Sequence, residues 1–143
     1  MTNPLWLHPE EIPHVDVLGD DECWALLEAE AIGRLAVRTG DGVDIFPVNF
    51  QVTDRTIFLR SAPGSKLRDI TRSSQVAFEI DAHHRKSYWS VVLHGTAERM
   101  AFDADIEASA VLELETLTSS AKSNYIRITP TAISGRRFST RGT

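Results

Sequence analysis

Cysteine, long apolar runs and an excess of basic charge are all scarce in this sequence of 143 residues. Its single cysteine, Cys23, excludes an internal disulfide and a cysteine-rich zinc site. No apolar run approaches the ~20 residues that span a bilayer. The first 13 residues carry acids and prolines where a signal peptide has basic and then apolar residues. We therefore expect a cytoplasmic protein with no membrane partner.

The charge balance argues against a nucleic-acid partner. The formal net charge is -5 at pH 7, whereas general nucleic-acid binding relies on a basic surface that releases phosphate counterions. The motifs GxGxxG, GxxxxGK[ST] and Gly-x-Ser-x-Gly are absent, so no Rossmann site, P-loop or hydrolase elbow is expected. The adjacent pair His83-His84 lacks the spacing of a metal site, and we expect no metal.

The composition is that of a packed globular protein. Hydrophobic residues make up 42% and charged residues 24% of the chain, and this length is typical of one domain. Three prolines among the first 13 residues predict an extended N-terminal arm over 1–17. The remaining residues, 18–143, are assigned to a single domain.

The hydrophobic periodicity predicts mostly strands. A helix is expected from Asp20, as its N-cap, to about Ala31, with Gly33 as a left-handed stop. The period then changes to 2, and strands are predicted at 34–38, 43–50, 56–60, 75–81, 88–99 and 125–129, with a second helix over 103–118. Pro130 is expected to redirect the chain. Hairpin-linked strands with few helices favour a small antiparallel barrel, and Pro47 within a strand predicts an edge or bulge.

The segment 60–72 is the most informative for chemistry. The cations Arg60, Lys66, Arg68 and Arg72 stand there against one acid, Asp69. A strand ends at Arg60, a Pro-Gly turn follows, and a short helix begins near Ser65. The free amides of that helix, two hydroxyls and two cations can converge on one phosphate. The alternative is an ordinary strand-turn-helix connection with solvated charges, which this pattern favours less than a phosphate site.

The ordered set of motifs resembles the pyridoxamine 5'-phosphate oxidase-like FMN-binding split-barrel family, in its short actinobacterial form. The motifs are GRLAV at 33–37, PVNF at 47–50, RSAPGSKL at 60–67, VAFEID at 76–81, WSVVLHGTA at 89–97 and GRRF at 135–138. The resemblance covers about residues 18–138. It implies a mainly β fold, a six-stranded antiparallel split β-barrel with peripheral helices. It also implies a homodimer with two FMN molecules at the subunit interface.

The resemblance also assigns cofactor-binding roles residue by residue. It implies that Arg60, Ser61, Ser65 and Lys66 hold the FMN phosphate, and that Pro47, Val48 and Asn49 run beside the isoalloxazine ring. Trp89 and Ser90 match a strand position that faces the ring or its ribityl chain, although Trp89 is equally suited to a role as an aromatic of the core or the dimer interface. Arg136 matches a position that reaches the flavin from the partner subunit. No catalytic side chain is implied, since the redox chemistry belongs to the cofactor.

Three functions remain open on this fold. The first is an FMN-dependent oxidoreductase, a flavoprotein that acts on a small substrate. The second is a reductase that uses the deazaflavin coenzyme F-420, and the third is a non-catalytic flavin- or haem-binding module. Oxidation of pyridoxamine phosphate itself is not expected, because the chain after Arg136 lacks the longer Arg-His-rich segment of the vitamin-converting enzymes.

Overall fold

The computed structural model describes residues 14–39, 42–61, 74–100 and 124–139, which form one helix and seven strands. The elements are β1 (His14–Leu18), α1 (Asp20–Ala29), β2 (Ile32–Thr39), β3 (Gly42–Thr53), β4 (Thr56–Ser61), β5 (Ser74–His84), β6 (Ser87–Arg99) and β7 (Asn124–Ser139). The helices predicted over 103–118 and near Ser65 lie outside these residues. Of the predicted N-terminal arm, residues 14–17 form most of β1.

Six of the strands close into a barrel. The sheet order is β1-β7-β4-β3-β2-β5-β6, and β6 also pairs with β7. Every pairing is antiparallel. β7 can serve three partners because it is long: one edge follows β6 throughout, while the other meets β4 in its first part and β1 in its last. The predicted antiparallel split barrel is confirmed.

The barrel interior is filled by the inward-facing side chains, which are every second residue of each strand. Its largest fully buried side chains include Phe78, Leu35, Ile57, Leu59, Ile80, Leu93, Ile126 and Ile128. Phe78 meets Phe50 edge to face, with ring centroids 4.9 Å apart. Such aromatic pairs add stability beyond the area that they bury.

Helix α1 covers one end of the barrel. It buries Cys23, Trp24 and Leu27, and a Cβ on Gly135 would lie 2.7 Å from the Cys23 Sγ. The absence of a side chain at Gly135 therefore lets the helix approach β7 closely. Burial, followed by the charges of two nearby acids, raises the pKa of the Cys23 thiol. Cys23 is thus a buried structural cysteine.

Two expectations about the ends of α1 are wrong. The N-cap is Gly19, without a side-chain cap bond, and Asp20 is already helical. Gly33 does not end the helix but lies within β2, opposite Val48. A Cβ at Gly33 would come within 2.4 Å of the Phe78 Cζ. This glycine is therefore needed for packing against an aromatic ring distant in sequence.

Pro130 does not redirect the chain, contrary to expectation. β7 continues through it, because the pairing with β6 shifts register between His94 and Gly95. Thr131 is the extra residue of this bulge, and its hydroxyl donates to the His94 carbonyl over 3.2 Å. A bulge tolerates proline because ladder bonds are interrupted there.

Candidate cofactor site

The first group of predicted site residues lies on β3 and β4. β3 pairs with β2 along 42–49, but it pairs with β4 only from Phe50 to Thr53. Among the described residues Pro47 therefore occupies an edge stretch, which confirms the predicted edge position. Pro47 is exposed, Asn49 is half-buried, and Val48 belongs to the core.

Arg60 and Ser61 complete this group at the end of β4. The last β3–β4 pair is Phe50 with Leu59, so Arg60 is the next position beside Asn49. The Arg60 guanidinium lies over the ring of Tyr125, its partner on β7, with 5.9 Å from Cζ to the ring centroid. Ser65 and Lys66 lie outside the described residues. We call the described members the β3–β4 group: Pro47, Val48, Asn49, Arg60 and Ser61.

The second group, the β6–β7 group, consists of Trp89, Ser90 and Arg136. Ser90 and Arg136 are directly opposite each other on neighbouring strands, and Arg136 is exposed. Because successive side chains of a strand point to opposite faces, Trp89 and Ser90 do not share a face. Trp89 packs against the main core. A core role was one of the roles that the sequence left open for Trp89, and contact with the flavin ring was another.

The two arginines of these groups, Arg60 and Arg136, lie far apart along β7. Arg60 pairs with Tyr125 near the start of β7, and Arg136 lies near its end. At the usual rise per residue, the strand between Tyr125 and Arg136 is roughly 35 Å long. A strand curves but does not fold back on itself. Arg60 and Arg136 of a single chain therefore lie near opposite ends of β7.

An ionic cluster that the sequence analysis missed lies beside the β3–β4 group. Arg34, the β2 partner of Pro47, donates from Nε and Nη2 to the Glu79 Oε1 over 3.0 and 2.6 Å. It also donates to Asp81. Alternation could have placed these side chains on one face of β2 and β5, but the sequence does not reveal the register that joins them.

The charges in this cluster perturb one another. Burial and the neighbouring Asp81 raise the pKa of Glu79, although the Arg34 guanidinium opposes the shift. The hydrogen bond to Glu79 in turn raises the pKa of Arg34. Burial and the same two carboxylates raise the pKa of Tyr88 on β6. The arrangement resembles the charged groups found at functional sites, although structural ion pairs show the same shifts.

Apolar side chains are exposed on the same outer surface. Val43 and Ile45 are each 66% exposed, and they alternate with half-buried positions along β3 toward Pro47. We call Val43, Ile45 and Pro47 the apolar strip. Exposed apolar side chains in a contiguous row often mark a surface that another molecule covers.

Two further features bear on the site. None of the helices in the described part of the chain is long and apolar enough to cross a membrane. Within residues 14–39, 42–61, 74–100 and 124–139, no group of three His, Cys, Asp or Glu side chains is placed to hold a metal ion. The His83 ring instead lies 6.5 Å from the Tyr88 ring.

Comparisons with known proteins give the fold a family context. The sequence model of the pyridoxamine 5'-phosphate oxidase family matches residues 19–137. A Corynebacterium glutamicum structure, provisionally assigned as a pyridoxamine 5'-phosphate oxidase, is 37% identical with a TM-score of 0.80. That match covers 90% of this chain and 96% of the other.

Two mycobacterial proteins are also similar. The structure of the FAD-binding protein from Mycobacterium smegmatis is 38% identical, with a TM-score of 0.76, over 87% of this chain and 98% of that protein. An uncharacterized protein of Mycobacterium tuberculosis is 33% identical over 87 residues, which are 61% of this chain and 79% of the relative. The similarity thus extends from sequence to the complete barrel.

Proposed function

Because the chain belongs to the pyridoxamine 5'-phosphate oxidase family, we propose that it is a cytoplasmic FMN-dependent oxidoreductase that acts on a small substrate as a homodimer. The family includes flavin-binding relatives of this fold. The substrate is a small molecule whose identity must be found by experiment.

The separation of Arg60 and Arg136 carries the homodimer proposal. The two arginines lie at opposite ends of a strand stretch that is roughly 35 Å long, yet the family resemblance assigns both to the cofactor. A second copy removes the conflict, because Arg136 of one protomer then approaches the β3–β4 group of its partner. Each dimer has two such sites by symmetry.

The apolar strip supports the same arrangement. Val43 and Ile45 expose large side chains on the surface that carries Pro47 and Asn49. Contact with a second copy would remove this surface from water, which favours association. One interface would thereby complete the cofactor site and cover the strip.

The residues present fit a flavin with a phosphate. Arg60 offers a forked donor that suits phosphate oxygens, and the Asn49 amide can donate to a ring carbonyl. Arg136 adds a positive charge, which favours a reduced ring with negative charge. The cofactor supplies the hydride and electron transfer, while these side chains bind and orient it. No protein nucleophile takes part.

FAD is a second candidate cofactor, favoured by one observation: a relative that is 38% identical is an FAD-binding protein. The deazaflavin coenzyme F-420, and a non-catalytic role as a flavin- or haem-binding module, are also compatible with the fold. The absorbance spectrum and mass of the co-purifying small molecule distinguish these cofactors. Oxidation of NAD(P)H or of reduced coenzyme F-420 then distinguishes an enzyme from a binding module.

A mixed-dimer experiment tests the shared site. The single variants Arg60→Ala and Arg136→Ala are each expected to lose FMN affinity, because hydrogen bonds to charged groups contribute about 1.5 to 3 kcal/mol. When the two variants are mixed and allowed to exchange subunits, each mixed dimer regains one intact site. High-affinity FMN binding should therefore return on mixing, as measured by flavin fluorescence titration.

The outcomes of this experiment are distinct. Arg55→Ala removes an exposed arginine in the turn between β3 and β4 that belongs neither to the two groups nor to the apolar strip, and it should leave the affinity unchanged. If mixing restores no binding although subunits exchange, the site does not span two copies. If the wild-type protein binds no flavin in any titration, the flavin proposal itself fails.

A further inference from the structure

Tyr125 lies beside the side chain that we assign to the phosphate, and no role has been given to it so far. Tyr125 and Arg60 are opposite each other on β7 and β4. Their neighbours Ile126 and Leu59 are fully buried in the barrel. Since strand side chains alternate, Tyr125 and Arg60 both project from the outer surface.

The ring of Tyr125 is fixed on that surface. It packs with Phe58 and Met100 in a small apolar cluster separate from the main core, and Phe58 is only 7% exposed. The Met100 amide also donates to the Tyr125 carbonyl over 2.8 Å. The ring is therefore packed against Phe58, and the backbone of Tyr125 is anchored by the Met100 amide.

The guanidinium of Arg60 lies over this fixed ring. The 5.9 Å from Cζ to the ring centroid is within the range of a cation–π contact. A free arginine samples many rotamers and loses that freedom when it grips a ligand. Contact with a packed aromatic face restricts those rotamers in advance, so less freedom is lost on binding.

We infer that Tyr125 is a positioning residue that orients Arg60 toward the cofactor phosphate. This inference rests on the proposed flavin function and adds a residue to that site. Tyr125 touches the arginine rather than the ligand. Its effect must therefore depend both on Arg60 and on the presence of a phosphate in the ligand.

The test compares FMN with riboflavin, which has the same ring but no phosphate. Dissociation constants are measured by flavin fluorescence for the wild type, Tyr125→Ile, Tyr125→Phe, Arg60→Ala and the double variant. Tyr125→Ile keeps a residue suited to strands but removes the aromatic face. We expect it to weaken FMN binding roughly 3- to 30-fold, the range of a cation–π contact, and to leave riboflavin binding unchanged.

Two controls separate positioning from general damage. Tyr125→Phe keeps the ring and should bind FMN like the wild type. In the Arg60→Ala background, Tyr125→Ile should have no further effect, because the side chain that it orients is gone. Thermal unfolding shows whether each variant folds, and Tyr125→Val replaces Tyr125→Ile if the latter does not.

The results distinguish the inference from its premise. Equal losses for FMN and riboflavin, or additive losses in the double variant, overturn the role of Tyr125 while the flavin site stands. An unchanged FMN affinity in a folded Tyr125→Ile protein does the same. If the wild type binds neither flavin, or Arg60→Ala binds FMN normally, the proposed phosphate site fails, and the inference fails with it.

Discussion

The inner face of β2 and β5 is apolar and buried, whereas their outer face carries charged side chains. Leu35 on β2 and Phe78 on β5 point inward and are fully buried. Their immediate neighbours Arg34 and Glu79 point outward and form an ion pair. Consecutive residues of each strand thus lie alternately in the packed core and on the charged outer face.

In this contrast, the inward-facing residues stabilise the barrel and the outward-facing residues carry the charged groups. A slip of one residue in the pairing of β2 with β5 would turn one of the two strands over and place its charged side chain, Arg34 or Glu79, in the core. The buried apolar residues therefore fix the register, and the register places the charged residues together. Substitutions on the two faces should have effects of different kind, which makes the contrast testable.

The largest effect on folding is expected for Phe78→Ala on the inner face. The substitution removes a fully buried ring that contacts Phe50 edge to face. Loss of a buried phenylalanine costs about 3 to 5 kcal/mol, part of which arises from the cavity left behind. Urea unfolding measures the change. Gln75→Ala on the exposed face of β5 is the control, and a similar loss in both variants would contradict the contrast.

A smaller effect, dependent on pH, is expected for Arg34→Met on the outer face. Its side chain is 42% exposed, so we expect a loss of about 1 to 2 kcal/mol at pH 7. Without the guanidinium, the pKa of Glu79 should rise further above its value in the unfolded chain. The folded variant then binds more protons than the unfolded chain, so its stability falls as pH rises through the folded pKa.

The deficit of Arg34→Met relative to the wild type should accordingly be greatest near neutral pH. It should shrink as the pH falls toward the unfolded carboxyl pKa of ~4.3. Urea unfolding at several pH values between these limits measures it. Arg127→Met is the matched control, since among the described residues Arg127 pairs with Glu98 alone. A deficit independent of pH would show that Arg34 does not lower the pKa of these carboxylates.

Local patterns were sufficient to predict most strands but not the contacts between them. Alternation predicted β2 to β6 within a few residues. The ends of α1 and the course of β7 were wrong, because tertiary contacts decide them. Gly33 faces the ring of Phe78, and Pro130 is accommodated by a bulge opposite Gly95. Neither partner is near in sequence, so no local signal could indicate it.

The candidate site was predictable to a similar degree. Its residues came from the order of motifs, which resembles a family. Their arrangement depends on register. Ser90 lies directly opposite Arg136 on β7, whereas Arg60 on β4 lies opposite Tyr125, near the other end of β7. Arg34 and Glu79 are 45 residues apart in the chain. Their pairing could not be inferred without knowing that β2 and β5 are neighbours.

The smallest effect on folding, and the sharpest test of the outer face, is expected for Ile45→Thr. Ile45 is 66% exposed and threonine suits a strand, so the free energy of unfolding of the monomer should change by less than about 0.5 kcal/mol. If two copies bury the apolar strip, the dissociation constant of the dimer should rise on the order of 10-fold, since the substitution acts twice across a symmetric interface. Sedimentation velocity over a range of concentrations measures it. An unchanged constant would mean that this face of β3 does not hold the dimer together.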